Sequence, residues 1–145
     1  MVEKSIIGKE FPESSFEVEK GKIKEFARAI GDPNPLYCNE TAAKSEGIDG
    51  LALPPTFGTV FSLSGETSLL DMLIELKIDI AKVLHGGQEY VFINPIKPGD
   101  TVTGKTVITD VIDKGKMDLI IMETDYVNQD GTPVLKDKST IVVRR

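Results

Sequence analysis

The segment Thr56–Leu63 carries no charged residue, and it constrains the fold more than any other part of the chain. Pro54 and Pro55 precede it, and proline suits the first turn of a helix. Its small residues, Gly58 and Ser62, let another backbone approach closely. A helix that is apolar on nearly every face has to be surrounded by other elements. We therefore predict a core helix over Thr56–Leu63 that is covered by a sheet.

The chain after this helix is rich in Val, Ile, Thr and Tyr, the residues that favour strands. The predicted strands are Gln88–Ile93, Thr101–Asp113, Met117–Asn128 and Pro133–Arg144. Hairpin signals lie at 113–116 and 128–131, so the last three strands should form an antiparallel meander. A buried helix followed by long antiparallel strands indicates the α+β class, with the sheet wrapped around the helix.

Three further helices are predicted outside this core. The first spans Lys20–Ile30, where apolar residues fall on one helical face, and it ends at Gly31. The second spans Glu40–Glu46 and has Asn39 as its N-cap. The third is a short helix within Ser64–Val83, which resembles an added flap more than part of a minimal core.

Length and composition exclude several classes of protein. A chain of 145 residues fits one domain over 1–145. The net charge of −6 disfavours nucleic acid as a partner, and no apolar run is long enough to cross a membrane. A single cysteine fits a cytoplasmic chain, and a single histidine excludes a multi-histidine metal site. We expect neither a metal nor a cofactor.

A carboxylate stands directly after the end of the first helix, in the sequence Gly31-Asp32-Pro33-Asn34-Pro35-Leu36-Tyr37. The two prolines stiffen this loop and forbid both helix and inner strand. Taken alone, the segment is typical of a capped turn in which Asp and Asn side chains bond their own backbone.

Four features in order along the chain resemble the MaoC-like dehydratases and (R)-specific enoyl-thioester hydratases of the hotdog superfamily. The family signature G-D-x-N-P-x-H is matched by Gly31, Asp32, Asn34 and Pro35, whereas Tyr37 stands at the histidine position. The other features resemble the family's N-terminal-half subclass: Leu53-Pro54-Pro55-Thr56-Phe57, Leu84-His85-Gly86 before a strand, and Pro95-Ile96 with Pro98-Gly99-Asp100. This resemblance implies a hotdog fold.

The resemblance also implies chemistry on an acyl thioester. The family adds water to a trans-2-enoyl thioester or removes it from a 3-hydroxyacyl thioester. Asp32 takes the acid–base position and Asn34 the water-side position, and a backbone N–H near Thr56 would stabilise the enolate oxygen. The substrate-binding positions are Pro55, Thr56, Phe57 and Gly86.

Tyr37 is the one departure from the signature. A phenol with a pKa near 10 is not a base at neutral pH, although it can donate a hydrogen bond. His85, the only histidine, is a second candidate for the catalytic set, with a structural role as the alternative. Cys38 is predicted to be a small buried side chain, since Asn39 and Glu40 offer no activating base.

Three functions remain open on the sequence. The first is an (R)-specific hydratase or dehydratase subunit of fatty acid metabolism with Asp32 active. The second is a non-catalytic acyl-binding subunit that pairs with a catalytic hotdog chain. The third is a hotdog acyl-CoA thioesterase, which is disfavoured because Thr56–Leu63 contains no acid. We expect coenzyme A rather than acyl carrier protein as the thioester carrier, because no basic cluster is obvious. We also expect a homodimer or heterodimer of hotdog chains, because an exposed edge strand invites pairing.

Overall fold

The computed structural model describes all residues, 1–145, and shows a five-stranded antiparallel sheet curled around a short helix. The strand order is β1-β3-β4-β5-β2. The strands are β1 Ser14–Glu17, β2 Val83–Phe92, β3 Thr101–Asp113, β4 Met117–Val127 and β5 Pro133–Arg144. The predicted α+β hotdog fold is confirmed, and the meander of the last three strands has nearly the predicted bounds.

Four α-helices accompany the sheet: α1 Lys20–Ala29, α2 Glu40–Ser45, α3 Gly58–Ser64 and α4 Leu69–Glu75. Asn39 caps α2 as predicted, because its side chain accepts a hydrogen bond from the Ala42 N–H at 3.1 Å. Ser68 and Asp71 form a reciprocal capping box at the start of α4. None of these helices is long and apolar enough to cross a membrane.

The core helix begins two residues later than predicted. Pro54–Phe57 form a turn in which the Phe57 N–H donates to the Pro54 carbonyl at 2.9 Å, and α3 follows from Gly58. Phe57 and Phe61 are almost fully buried and meet edge to face, with ring centroids 5.4 Å apart. Leu63 is half exposed, so the sheet covers one side of α3 and leaves its last turn open.

Two sheet predictions need correction. The edge strand β2 begins at Val83 rather than Gln88, so His85 and Gly86 lie within a strand and not before one. The register shifts between His85 and Gly87, which marks a β-bulge. Strand β1 was not predicted, because Ser-Ser-Phe-Glu is too short to show the alternation of a strand; it pairs with β3 from Ser14 opposite Gly104.

The inner face of the sheet holds two apolar clusters and a belt of polar side chains. One cluster contains Phe57 and Phe61, and the other contains Met72, Ile108 and Ile120, among other residues. The belt consists of buried side chains on three neighbouring strands: Thr106, Thr124, Asp137 and Ser139. Every buried side-chain N or O atom of the chain has a hydrogen-bond partner, so the fold tolerates this belt without loss.

One buried carboxylate joins residues near the first and the last positions of the sequence. Asp118 is 1% exposed, and it accepts hydrogen bonds from the Val2 N–H at 2.8 Å and from the Arg145 guanidinium. Arg145 also contacts Asp113 at 2.8 Å. The hydrogen bond from Arg145 lowers the pKa of Asp118, and it outweighs the opposing effect of burial.

Replacement of this carboxylate should make stability depend on pH in a defined way. We expect Asp118→Asn to lower the free energy of unfolding at neutral pH, because Arg145 then faces a buried neutral group. A depressed folded-state pKa contributes stability above about 4 and loses it as the pH falls through the folded-state value. Urea unfolding of the two proteins should therefore converge in acid. Asp130→Asn, in the exposed turn after β4, is the matched control and should follow the wild type at every pH.

Candidate functional site

The loop that carries the signature residues is built by its own polar side chains. Gly31 ends α1 with a φ of +71°, a conformation that glycine adopts without a steric penalty. Asp32 Oδ1 then accepts the Asn34 N–H at 3.0 Å, and Asn34 Oδ1 accepts the Leu36 N–H at 3.0 Å. These bonds make the loop a pair of Asx turns, which is the capped turn that the sequence left open as an alternative.

Tyr37 has become part of the core. It is 9% exposed and belongs to the same buried cluster as Leu51 and Phe57. Burial is the main cause that raises the pKa of Tyr37, and the charge of Asp32 adds to it, while the Asn34 side chain opposes the change. The phenol therefore stays neutral at physiological pH, and it cannot replace the histidine of the signature as a base.

The principal cavity of the chain is an apolar cleft of 680 Å³ beside α3. Its floor consists of the buried side chains of Leu51, Phe57, Phe61 and Leu135. Its walls are two loops, 47–55 before α3 and 93–97 after β2. At the mouth, Lys97 Nζ and Asp49 Oδ2 form an ion pair at 2.9 Å that joins the two walls.

The signature loop borders this cleft but does not open into it. The Leu36 carbonyl accepts the Ala52 N–H at 2.9 Å, so the loop is fastened to one wall. Of the positions predicted to bind substrate, Pro55 and Phe57 line the cleft, whereas Thr56 is exposed in the turn beside it. Asp32 is not among the residues that line the cleft.

The structure does not bring His85 to the signature loop. His85 is exposed on β2, where its Nε2 lies 3.0 Å from Gln88 Oε1. Gly86 occupies the bulge, where a Cβ atom would come within 2.5 Å of Val142 Cγ2. This close approach explains the glycine without any contact to the cleft, which neither His85 nor Gly86 lines.

One side chain, Cys38, lies elsewhere than predicted, and some features near the site were not predicted at all. Cys38 is exposed rather than buried, because it follows the short turn 35–37 and its side chain faces outward. The cleft walls and the buried Asp137 were not predicted. The apolar residues of the segment Ile48–Leu53 were the only available signal for the walls. No three His, Cys, Asp or Glu side chains lie together as they would to hold a metal.

The architecture places the chain in the hotdog class, and solved structures of that class match it closely. One chain of the HadBC complex, a 3R-hydroxyacyl-ACP dehydratase from Mycobacterium tuberculosis, is 27% identical with a TM-score of 0.81; the match covers 94% of this chain and 96% of that one. The MaoC-like dehydratase from Rhodospirillum rubrum gives a TM-score of 0.69 at 24% identity, covering 96% and 92%. The ChsH1–ChsH2 complex of M. tuberculosis gives 0.73 at 22%, covering 94% and 89%.

Residues 5–137 match the family described as FAS1-like, dehydratase domain region, so the chain belongs to that family. Together with the solved structures, this match places the chain among the MaoC-like hotdog dehydratases. A UPF0336 protein of Thermobifida fusca is 37% identical over 93% of this chain and 88% of its own length. A UPF0336 protein of Saccharopolyspora erythraea is 33% identical over 99% and 92%. The chain thus has the fold and family of a hydratase or dehydratase subunit.

Gly58, which lines the cleft at the start of α3, should resist substitution. An added Cβ would lie 2.6 Å from Tyr90 Cε1, and that ring is anchored by a 2.9 Å hydrogen bond between its hydroxyl group and Thr59 Oγ1. We expect Gly58→Ala to lower the free energy of unfolding by roughly 1–3 kcal/mol. Gly21→Ala in α1, where a Cβ meets nothing within 4 Å, should raise it by up to about 1 kcal/mol. Urea titration of both variants measures the contrast, and equal effects would contradict it.

Proposed function

We propose that this chain is an acyl-thioester-binding subunit of a hotdog hydratase or dehydratase, which works beside a second hotdog chain. One observation carries the proposal: an apolar cleft of 680 Å³ is present, while the Asp32 carboxylate beside it is engaged by its own loop. The chain has kept space for a ligand, but it lacks a base at the signature position.

The cleft suits the hydrocarbon part of an acyl thioester. Small-molecule sites in proteins measure about 300–1,000 Å³ and are lined mainly by apolar side chains. Aromatic and aliphatic side chains form the floor here, and the only ion pair at the cleft, Asp49–Lys97, lies at the mouth. Burial of an acyl chain against this floor removes apolar surface from water, and the charged thioester carrier would remain outside.

The arrangement of titratable groups argues against hydration by the chain alone. The family chemistry requires a carboxylate and a base that share one water molecule. Here Tyr37 is buried with a raised pKa, and the single histidine lies on β2, bonded to Gln88. A partner chain with the full signature would supply the missing base.

The edge of the sheet supports the pairing. Strand β2 is ten residues long and pairs only with β5, so one side of its backbone has no partner strand. Exposed apolar side chains lie on or next to it: Leu84, Val91, Phe92 and Ile93. A long apolar edge invites another strand. HadBC and ChsH1–ChsH2 are complexes of more than one chain, which favours a second hotdog as the partner.

The second candidate is a subunit that catalyses the reaction itself, with Asp32 released from its loop when substrate binds. The intact Gly31–Pro35 part of the signature favours this candidate. The thioesterase alternative has less support, since α3 contains no carboxylate to activate water. For the carrier, we retain coenzyme A on charge grounds, although HadBC is named for acyl carrier protein.

A charge placed in the cleft should weaken acyl binding. Ile93 lines the cleft and is 42% exposed, so Ile93→Asp tests the site at a position where the fold tolerates change. We expect decanoyl-CoA to bind the variant at least about tenfold more weakly in calorimetry, because an apolar chain would desolvate the carboxylate. Ile74→Asp, 62% exposed on α4 and outside the cleft, is the control. Free coenzyme A and acyl carrier protein thioesters, titrated in parallel, identify the carrier.

Activity assays separate the two candidates. We expect the isolated chain not to hydrate crotonyl-CoA, as followed by loss of the enoyl absorbance. In the assembly with a partner chain, Asp32→Asn in this chain should fall well short of the roughly 10²–10⁴-fold loss that removal of an acid–base group causes. Turnover by the isolated wild type would support the second candidate instead. A gain of turnover in Tyr37→His would show that the missing histidine alone had silenced the loop.

A further inference from the structure

A buried carboxylate that the proposed acyl site does not use lies on β5, the strand next to the edge strand β2. Asp137 on β5 is 4% exposed and faces the interior between the two apolar clusters. Burial raises the pKa of Asp137, and the hydrogen bonds from Gln88 and Ser139 oppose that effect. A carboxylate buried in this way is stable only where hydrogen bonds satisfy it. Its hydrogen-bond partners are therefore the residues that it can hold in position.

The bulge in β2 brings a histidine into line with this carboxylate. His85 lies opposite Ile141 and Gln88 lies opposite Ser139, and both of these β5 residues are buried on the inner face. Without the bulge, residues three apart in a strand would point to opposite faces. The extra residue at Gly86 therefore places the side chains of His85 and Gln88 on the same face.

A chain of hydrogen bonds runs from Asp137 to His85. Gln88 Nε2 donates to Asp137 Oδ1, and this bond orients the amide so that Oε1 faces His85. Gln88 Oε1 then accepts from His85 Nε2, which lies 3.0 Å away. Because a neutral imidazole carries one proton, its Nδ1 holds the lone pair. Ser139 Oγ, 3.0 Å from both Gln88 Oε1 and Asp137 Oδ1, closes the network.

The free Nδ1 belongs to His85, which is exposed on the edge strand β2. In the proposed function, this is the strand that pairs with a second chain. We propose that His85 presents Nδ1 as a hydrogen-bond acceptor to a second hotdog chain paired along β2, and that Gln88 and Asp137 are its positioning residues. The partner group is an N–H or O–H donor, since only a donor complements that lone pair. This inference rests on the pairing in the proposed function but not on the acyl ligand.

The tautomer is directly measurable, because the chain has only one histidine. Long-range ¹H–¹⁵N spectra of the isolated chain at neutral pH should show one Nε2–H imidazole. In Asp137→Asn the new amide can also donate, so Gln88 can turn over, and we expect a mixture with the Nδ1–H form. Gln88→Leu, at an exposed position, is the second variant and should speed the exchange of the Nε2 proton with water. An Nδ1–H wild type, or variants identical to it, would overturn the positioning.

The role of His85 Nδ1 can be tested by measuring how strongly this chain associates with a partner chain. The probe is a MaoC-like chain from the same genome with the full G-D-x-N-P-x-H signature, or a second copy of this chain, titrated in sedimentation experiments. We expect His85→Phe to weaken association about tenfold, the equivalent of one hydrogen bond of about 1.4 kcal/mol. Glu89→Gln, on the same strand but the opposite face, should leave it unchanged.

Two results would overturn the interface role. One is undiminished association of His85→Phe, and the other is a wild-type chain that stays monomeric with both probes. Decanoyl-CoA titration of the same wild-type sample separates these failures from failure of the proposed function. Retained acyl binding would leave the acyl site standing without the histidine contact, whereas absent acyl binding would refute the acyl site whatever the association shows.

Discussion

Burial of Phe57 and Phe61 beneath the sheet is the contact on which the rest of the structure depends. The α3 helix has only seven residues, too few to be stable in water, so tertiary packing must hold it. Phe16 and Phe26 meet these rings with centroids 5.4–6.4 Å apart, which ties β1 and α1 to the same cluster. The cleft is a consequence of this packing, since the two phenylalanines that close the core on one side form the cleft floor on the other.

Much of the fold was predictable because its signals are local. Strand β3 has the predicted bounds because it is rich in Val, Ile and Thr and turn signals lie on both sides of it. The bulge in β2 and the short β1 escaped prediction because each depends on a neighbour that is distant in the sequence. The prediction for Cys38 failed for a related reason. Burial was expected because its neighbours offer no activating base, whereas its exposure follows from the path of the chain after the turn at 35–37.

The candidate site was likewise predictable only in part. The rigid loop at Asp32 was predictable from its prolines, and the positions of Pro55 and Phe57 beside the core helix followed from the sequence before it. The direction of the Asp32 side chain was not predictable from the sequence. The same loop sequence allows the carboxylate to take part in a reaction or to accept a hydrogen bond from its own backbone. In the structure Asp32 accepts a hydrogen bond from the Asn34 N–H, and Tyr37 packs in the same buried cluster as Leu51.

The polar belt extends across the inner face of the sheet to the edge strand β2. Thr106 and Thr124 bond each other at 2.7 Å across β3 and β4, and Asp137 continues the row into β5. A purely apolar face would bury more apolar surface, but it would offer no hydrogen-bond partner to the side chain of Gln88 on the edge strand. The belt ends at Gln88 on β2, just after the bulge between His85 and Gly87. The interior therefore has a polar connection to the edge most suited to a partner, while the apolar cleft lies beside it and does not open onto the belt residues.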